Sequence, residues 1–248
     1  MNMKVRQVLL AAGAVALLCA CGSPGSSGAS PPDGCAPPGR ARVVVASVPG
    51  GADRIRVTVF GKGPDTVVLS NESDEDLCSW LPPADHLTAA GYRVALWDYG
   101  TAGPVDELTA VTAAVRAADP PGPVVLLGAS EGAKASLVAA AGIRPPVVGV
   151  VSLSAEAELA GGIDVESSIG RIGCPLLLLT ATDDPYGSAP AARSFLAAAR
   201  PGQARLLTLP GAAHGTALLQ GPTAAEAQTA VDEFLHTAFG AAGQSAGG

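Results

Sequence analysis

The chain has 248 residues, of which 48% are hydrophobic and 15% charged, and its formal net charge at pH 7 is −7. A chain of this length can form one domain that buries about 70–75% of the surface of its unfolded form. The acidic balance argues against nucleic acid as a partner, because phosphate binding needs a basic face. The sequence has no C-x-x-C or H-E-x-x-H pattern and therefore suggests no metal site and no cofactor.

The N-terminus of the chain predicts a signal peptide over residues 1–20. The apolar run that follows Lys4 and Arg6 is too short for a comfortable membrane span. It ends in Leu18-Cys19-Ala20-Cys21, which resembles the lipobox of bacterial lipoproteins, where the signal is cut before a cysteine that then carries lipid. The resemblance implies lipidation at Cys21 and export to the cell envelope, with the protein anchored to the membrane on its extracytoplasmic side. The alternative is an ordinary secretory signal with incidental cysteines.

Composition divides the rest of the chain into three segments. Residues 21–39 are rich in Gly, Ser and Pro and predict a flexible tether, because they cannot bury much apolar surface. Residues 40–239 have regular apolar patterning and predict the folded domain. Residues 240–248 are again rich in Gly and small residues and predict a disordered tail.

Three cysteines remain after such processing, namely Cys35, Cys78 and Cys174. An exported protein permits disulfides, but three cysteines cannot all pair within one chain. We predict that Cys35 pairs with Cys78. Cys174 opens a predicted strand and is expected to be a buried free thiol, which packs as a small hydrophobe.

Strand-like and helix-like patterns alternate along the folded domain. The predicted strands are 42–48, 54–60, 66–70, 92–97, 124–127, 147–153, 175–180 and 204–209, and the predicted helices are 80–90, 105–118, 131–141, 189–199 and 223–239. The first two strands alternate in polarity and are joined by a Pro-Gly-Gly-Ala turn, which is typical of a hairpin. Several later strands are continuously apolar and alternate with helices, which indicates a mostly parallel sheet covered on both faces.

A motif for nucleophilic catalysis lies directly after the predicted strand 124–127. The residues Gly128-Ala129-Ser130-Glu131-Gly132 separate that apolar strand from the next predicted helix. A strand, a Gly-x-Ser-x-Gly turn and a helix in this order form a nucleophile elbow, in which the serine backbone is strained. Free N–H groups at the start of the helix point at the same place as the hydroxyl. The motif therefore favours Ser130 as a nucleophile that attacks a carbonyl.

The order of elements and motifs resembles the α/β-hydrolase family over about residues 40–239. In that family the serine follows the fifth strand, the acid the seventh and the histidine the eighth, in the chain order Ser, Asp, His. The resemblance implies an α/β-hydrolase fold with an eight-stranded mostly parallel sheet and helices on both faces. It also implies a catalytic triad of Ser130, Asp184 and His214 at the carboxyl edge of the sheet, where open α/β sheets bind ligands. No large cap domain is expected, because the segment 155–173 is too short for one.

Three histidines compete for the role of the base. His214 follows the predicted strand 204–209 in a Gly-Ala-Ala-His-Gly loop, where glycines allow close approach to a substrate. His86 and His236 fall within predicted helices and are expected to be surface or packing residues.

Two adjacent aspartates compete for the role of the acid. The preceding strand resembles the family's strand ending in Gly-x-x-Asp, with Ala181 in place of the glycine, and this alignment selects Asp184. Asp183 is the alternative acid. Some family members place the acid after the sixth strand, where Glu156 and Glu158 are found.

An oxyanion hole needs two N–H donors. The backbone N–H of Glu131, the residue after the nucleophile, is the first candidate. Many family members carry His-Gly in the loop after the third strand, followed by the residue whose N–H donates. Here Ser70-Asn71 stands in place of His-Gly, and the resemblance nominates the backbone N–H of Glu72.

These residues predict a serine hydrolase, most simply a carboxylesterase that acts on a small-molecule or lipid ester. The triad residues do not determine which leaving group is cleaved off, so a thioesterase, a lipase and a peptidase are alternatives within the same enzyme class. The alternative from another class is a catalytically idle lipoprotein that uses the hydrolase fold as a binding or envelope-structural module. The altered Ser70-Asn71 pair favours that alternative. The sequence identifies no protein partner.

Overall fold

The computed structural model describes residues 41–51, 54–118 and 120–246. The strands are β1 Arg42–Ser47, β2 Arg54–Phe60, β3 Thr66–Ser70, β4 Arg93–Trp97, β5 Val124–Ala129, β6 Gly149–Leu153, β7 Glu158–Leu159, β8 Ile163–Asp164, β9 Leu176–Ala181 and β10 Ala204–Leu209. The helices are α1 Leu81–Ala89, α2 Pro104–Ala117, α3 Glu131–Gly142, α4 Glu166–Ile169, α5 Ser188–Ala198 and α6 Ala224–Ala246, with 3-10 helices at Leu77–Trp80 and Gly215–Leu219.

The main sheet has eight strands in the order β1-β2-β4-β3-β5-β6-β9-β10. Strand β2 runs antiparallel to both of its neighbours, β1 and β4, and every other pairing in this sheet is parallel. The predicted eight-stranded, mostly parallel sheet is therefore confirmed. The parallel register aligns the carboxyl ends of the central strands, since Ser70 pairs with Gly128 and Ala129 pairs with Leu153.

The sheet separates two apolar layers. Helices α2, α3, α4 and α5 pack on one face, and α1 and α6 pack on the other. Strand β5 shows why its sequence is continuously apolar: Leu126 points into the first layer and Leu127 into the second, and both are fully buried. Successive side chains of a strand point to opposite faces, so a strand covered on both sides needs apolar residues at every position.

The connection between β6 and β9 holds only the small antiparallel pair β7–β8 and the four-residue helix α4. The predicted absence of a large cap is therefore confirmed. Glu156 and Glu158, the two carboxylates expected after the sixth strand, both belong to this short connection.

Two helix boundaries differ from the sequence prediction by more than one residue. The predicted helix 80–90 begins instead as a 3-10 helix at Leu77–Trp80, which is followed by α1. The first turn of α1 contains prolines, whose missing N–H is no loss there because the first N–H groups of a helix have no partner within it. Helix α6 continues to Ala246, although a disordered tail was predicted from residue 240. Alanine is the strongest helix former, and buried Phe239 anchors the preceding turn to the sheet.

The predicted signal peptide, Cys21, the tether and Cys35 lie outside the described residues. Cys78 is disulfide-bonded, and its pairing with Cys35 stays a prediction. Cys174 is a free, buried thiol whose pKa is raised by burial to about 11. Within the described part of the chain, no helix combines the length and the apolar character needed to cross a membrane.

Arg93 is a fully buried cation at the amino edge of the sheet. Its Nε donates to Thr66 Oγ1 at 2.7 Å, and its terminal nitrogens donate to the carbonyls of Val115 and Pro120. The side chain therefore joins β3, β4 and the end of α2.

Arg93→Met should lower the free energy of unfolding by about 2–4 kcal/mol, because it leaves buried carbonyl oxygens without donors. Urea denaturation measures the loss. The matched control is Arg54→Met, at an exposed position of β2, which should change the same quantity by less than about 0.5 kcal/mol. Equal effects of the two substitutions would contradict the structural role of Arg93.

Candidate active site

Ser130 lies at the sharp turn between β5 and α3, with φ +48° and ψ −112°. This left-handed φ is costly for a residue with a side chain and persists only where the surroundings enforce it. A Cβ atom at Gly128 would collide with the carbonyl of Gly132, and one at Gly132 would collide with the carbonyls of Ser70 and Asn71. The glycines two residues before and after Ser130 are therefore required by close backbone contacts.

The loop after β3 is fixed beside this turn. The carbonyl of Asn71 accepts hydrogen bonds from the N–H of Gly132 at 2.9 Å and from the hydroxyl of Tyr99 at 2.8 Å. The Asn71 side chain donates to the carbonyl of Trp97 and to Asp98. These contacts hold the backbone of the loop at a set position next to Ser130.

Two backbone N–H groups, one directly after Ser130 and one in the loop after β3, have no acceptor in the described part of the protein. The amide of Glu131 is the first of α3 and has no partner within that helix. Across the three described ranges, neither this amide nor that of Glu72 donates to any acceptor. Both are the groups that the sequence nominated as oxyanion donors.

Asp184 and His214 are in direct contact. His214 Nδ1 donates to Asp184 Oδ2 at 2.8 Å, and the Asp184 side chain is completely buried. The same carboxylate accepts from the hydroxyl of Ser188 at 2.6 Å and from the N–H of Tyr186 at 2.9 Å. Burial alone would raise the pKa of Asp184, but these hydrogen bonds and the neighbouring imidazole outweigh it and hold the pKa below its usual value.

The other candidates for acid and base lie elsewhere. Asp183 is exposed and accepts from the hydroxyl of its neighbour Thr182. His86 pairs with Asp232 at the surface, and His236 is exposed. The structure therefore brings Asp184, and not Asp183, to His214.

Glu156 occupies the space between Ser130 and His214. The Ser130 hydroxyl donates to Glu156 Oε1 at 3.3 Å, and His214 Nε2 lies 3.7 Å from the same oxygen. Glu156 therefore faces the opposite side of the imidazole from Asp184. The sequence had suggested Glu156 only as an alternative acid, and its contact with the serine is a finding of the structure.

Lys134 completes this charged group. Its ammonium lies 2.9 Å from a carboxylate oxygen of Glu131 and 2.9 Å from Glu156 Oε2. Burial would lower the pKa of Lys134, but the two carboxylates outweigh it and raise the pKa above its usual value. Sequence reasoning missed Lys134, although its position one helical turn after Ser130 places both on the same side of α3.

The Glu72 side chain joins two loops. Its Oε1 accepts from the N–H of Thr216 at 2.8 Å and from the hydroxyl of Thr216 at 2.7 Å. A Cβ atom at Gly215 would collide with this carboxylate, so a larger residue after His214 would displace Glu72 from its present position. The sequence had assigned a role only to the Glu72 backbone.

Tyr186 marks the open side of the site. Its ring lies against the imidazole of His214, with centroids 4.4 Å apart, and the residue is 65% exposed. His214 is thus held between a buried carboxylate and an aromatic ring that faces solvent.

Comparisons with protein-family models and with curated proteins give no match. Solved structures do resemble the chain. A monoacylglycerol lipase of Paleococcus ferrophilus is similar with a TM-score of 0.64 and 17% identity, over 74% of this chain and 99% of the lipase. An esterase of Pyrococcus furiosus has a TM-score of 0.68 and 15% identity, over 80% and 91%. A dienelactone hydrolase of Anabaena variabilis has a TM-score of 0.65 and 23% identity, over 79% and 97%. The chain therefore has the α/β-hydrolase fold, as its sequence predicted.

Asp184→Asn should remove a stabilisation of the folded state that depends on pH. Because the pKa of Asp184 is lowered on folding, this stabilisation is fully present above the pKa of an unfolded aspartate, about 4. It is lost as the pH falls through the lower pKa of the folded state. The free energy of unfolding of the wild type should therefore exceed that of Asp184→Asn by the largest amount at about pH 6–7. The difference between the two should become smaller towards about pH 3.

Urea denaturation at a series of pH values measures this difference. Exposed Asp183 provides the control, since Asp183→Asn should change the free energy of unfolding at about pH 7 by less than about 0.5 kcal/mol. A difference between wild type and Asp184→Asn that widens on acidification would show that the contacts of this carboxylate do not stabilise its ionised form.

Proposed function

We propose that this chain is a serine hydrolase that cleaves carboxylic esters through Ser130, His214 and Asp184. The observation that carries the proposal is the convergence of three loops, after β5, β9 and β10, at one edge of the sheet. There a strained serine and an imidazole lie against the same oxygen of Glu156, and the other nitrogen of the imidazole is bound to a buried carboxylate. The similar solved structures include an esterase and a lipase, which supports the same reaction class.

The reaction begins when the Ser130 side chain turns from Glu156 to His214 Nε2. Asp184 holds the proton on Nδ1, so Nε2 is left free to accept one. The serine oxygen attacks the ester carbonyl while its proton passes to Nε2, and Asp184 stabilises the imidazolium that forms. The imidazolium then gives that proton to the departing alkoxide as the carbon–oxygen bond breaks.

Water completes the cycle. His214 takes a proton from water as the water oxygen attacks the acyl-enzyme, and returns it to Ser130 as the acyl bond breaks. The products are a carboxylic acid and an alcohol. The unpartnered N–H groups of Glu131 and Glu72 supply the two donors that stabilise the negative oxygen of each tetrahedral intermediate.

One contact favours a second candidate function. The Ser130 hydroxyl is directed to Glu156 rather than to the imidazole. This arrangement is compatible with a catalytically idle protein that uses the fold as a binding or envelope-structural module. The two functions differ in whether Ser130 reacts with an electrophile.

A fluorophosphonate probe should label the folded protein at Ser130, as mass spectrometry of the labelled peptide would show. Ser130→Ala should abolish labelling, whereas Ser167→Ala, at an exposed serine, should leave it intact. Ser130→Ala and His214→Ala should each lower kcat for a p-nitrophenyl ester by at least about a thousandfold. His236→Ala is the control for the histidine. Absence of labelling in a folded wild type would favour the binding module.

We also propose that the protein is exported and anchored to the cell membrane through lipid on Cys21. The proposal is supported by the charged start, the apolar run and the Ala20-Cys21 junction of the sequence. Two or more acyl chains hold a protein at a membrane far more firmly than one.

Cys21→Ser should move the protein from the membrane fraction to the soluble fraction of cells that export it, as immunoblotting of the fractions would show. Cys174→Ser, at a cysteine outside the signal, is the control and should leave the distribution unchanged. Retention of Cys21→Ser in the membrane would reject lipid anchoring at this position.

A further inference from the structure

Negative charge is in excess beside Ser130. One ammonium, that of Lys134, lies 2.9 Å from the carboxylates of both Glu131 and Glu156. The three charges therefore sum to −1. The cluster is largely shielded from solvent, since the Lys134 side chain is only 11% exposed. Screening by water and salt is correspondingly weak, so the surplus charge acts strongly on groups that enter the site.

The two oxygens of Glu156 have different surroundings. Oε2 is paired with Lys134, which fixes the orientation of the carboxylate. Oε1 faces the site, 3.3 Å from the Ser130 hydroxyl and 3.7 Å from His214 Nε2. A substrate must bring its carbonyl carbon to the serine oxygen and must therefore approach Glu156 Oε1 as well.

The distances select one kind of substituent. Reacting atoms approach to about 3–3.5 Å before attack, and a nitrogen on the carbon next to a carbonyl lies about 2.5 Å from the carbonyl carbon. Such a nitrogen can come within ion-pair distance of an oxygen that is itself 3.3 Å from the attacking atom. If it carries positive charge, it compensates the surplus negative charge of the cluster.

We propose that Glu156 is a specificity-determining residue that selects acyl groups with an ammonium next to the carbonyl, as in α-amino acid esters. The inference rests on the proposed ester hydrolysis at Ser130. The ammonium pairs with Glu156 Oε1, and the serine hydroxyl is released to His214 Nε2. A neutral acyl group leaves the carboxylate competing with His214 for the same hydroxyl. The preference therefore arises in binding and again in the attack.

Two p-nitrophenyl esters of matched shape test the proposal. The alanine ester carries an ammonium where the isobutyrate ester carries a methyl group, and at about pH 6.5 the amine is mostly protonated. The quantity compared is the ratio of kcat/KM for the alanine ester to that for the isobutyrate ester. Hydrolysis in the presence of Ser130→Ala is subtracted as the background. Comparing ratios between variants cancels the difference in intrinsic reactivity of the two esters.

Glu156→Gln should lower this ratio at least about tenfold, because a charge pair is lost from a poorly hydrated site. The alanine ester should be cleaved more slowly, and the isobutyrate ester faster, since no carboxylate then holds the serine hydroxyl. Glu156→Ala removes the same carboxylate and should act in the same direction. The control is Glu158→Gln, at an exposed position of β7, which should leave the ratio within about twofold of the wild type.

The outcomes separate this inference from the proposed function. If the wild type cleaves the isobutyrate ester but Glu156→Gln leaves the ratio unchanged, or slows both esters in parallel, Glu156 does not select charge and the inference is wrong. If the wild type cleaves neither ester and Ser130 is not labelled, the proposed hydrolase function is wrong.

Discussion

The site depends on close contact between two backbone segments, the turn around Ser130 and the loop after β3. Gly132 donates to the carbonyl of Asn71, and neither Gly128 nor Gly132 has room for a Cβ atom. This contact holds the turn at Ser130, whose φ is positive, beside the loop that contains Glu72. The parallel pairing of β3 with β5, in which Ser70 lies opposite Gly128, sets the distance between the two segments. The position of Ser130 and that of the loop after β3 are thus linked by one sheet register.

The sequence predicted the sheet and the elbow because their physical requirements are local. A strand buried on both faces must be apolar throughout, as β5 is, and a sharp turn beside another backbone must be flanked by glycine. The last helix was predicted to end at residue 239, because the composition of residues 240–248 indicated a tail, whereas α6 continues to Ala246 through helix-forming alanines. The alignment of the strand end selected Asp184 over Asp183, and the structure adds a physical difference between the two, since Ser188 and Tyr186 bind only Asp184.

The contact of Glu156 with Ser130 could not be read from the sequence. Glu156 follows β6 in a short irregular connection, and no periodic pattern indicates where its side chain points. Its position depends on Lys134, which lies on a different element and binds the far oxygen of the same carboxylate. Pairs of this kind depend on tertiary distances, whereas the motif around Ser130 depends on neighbours in the chain.

The bond between Glu72 and Thr216 makes two distant stretches of the chain mechanically dependent on each other. One stretch is the loop after β3, and the other carries the imidazole of His214. Local opening of either stretch would break the two charge-assisted hydrogen bonds between Glu72 and Thr216. We therefore expect the two stretches to open together as one cooperative unit. Thermal motion that disorders one of these two loops would therefore disorder the other at the same time, and the population of molecules with only one loop ordered would be small.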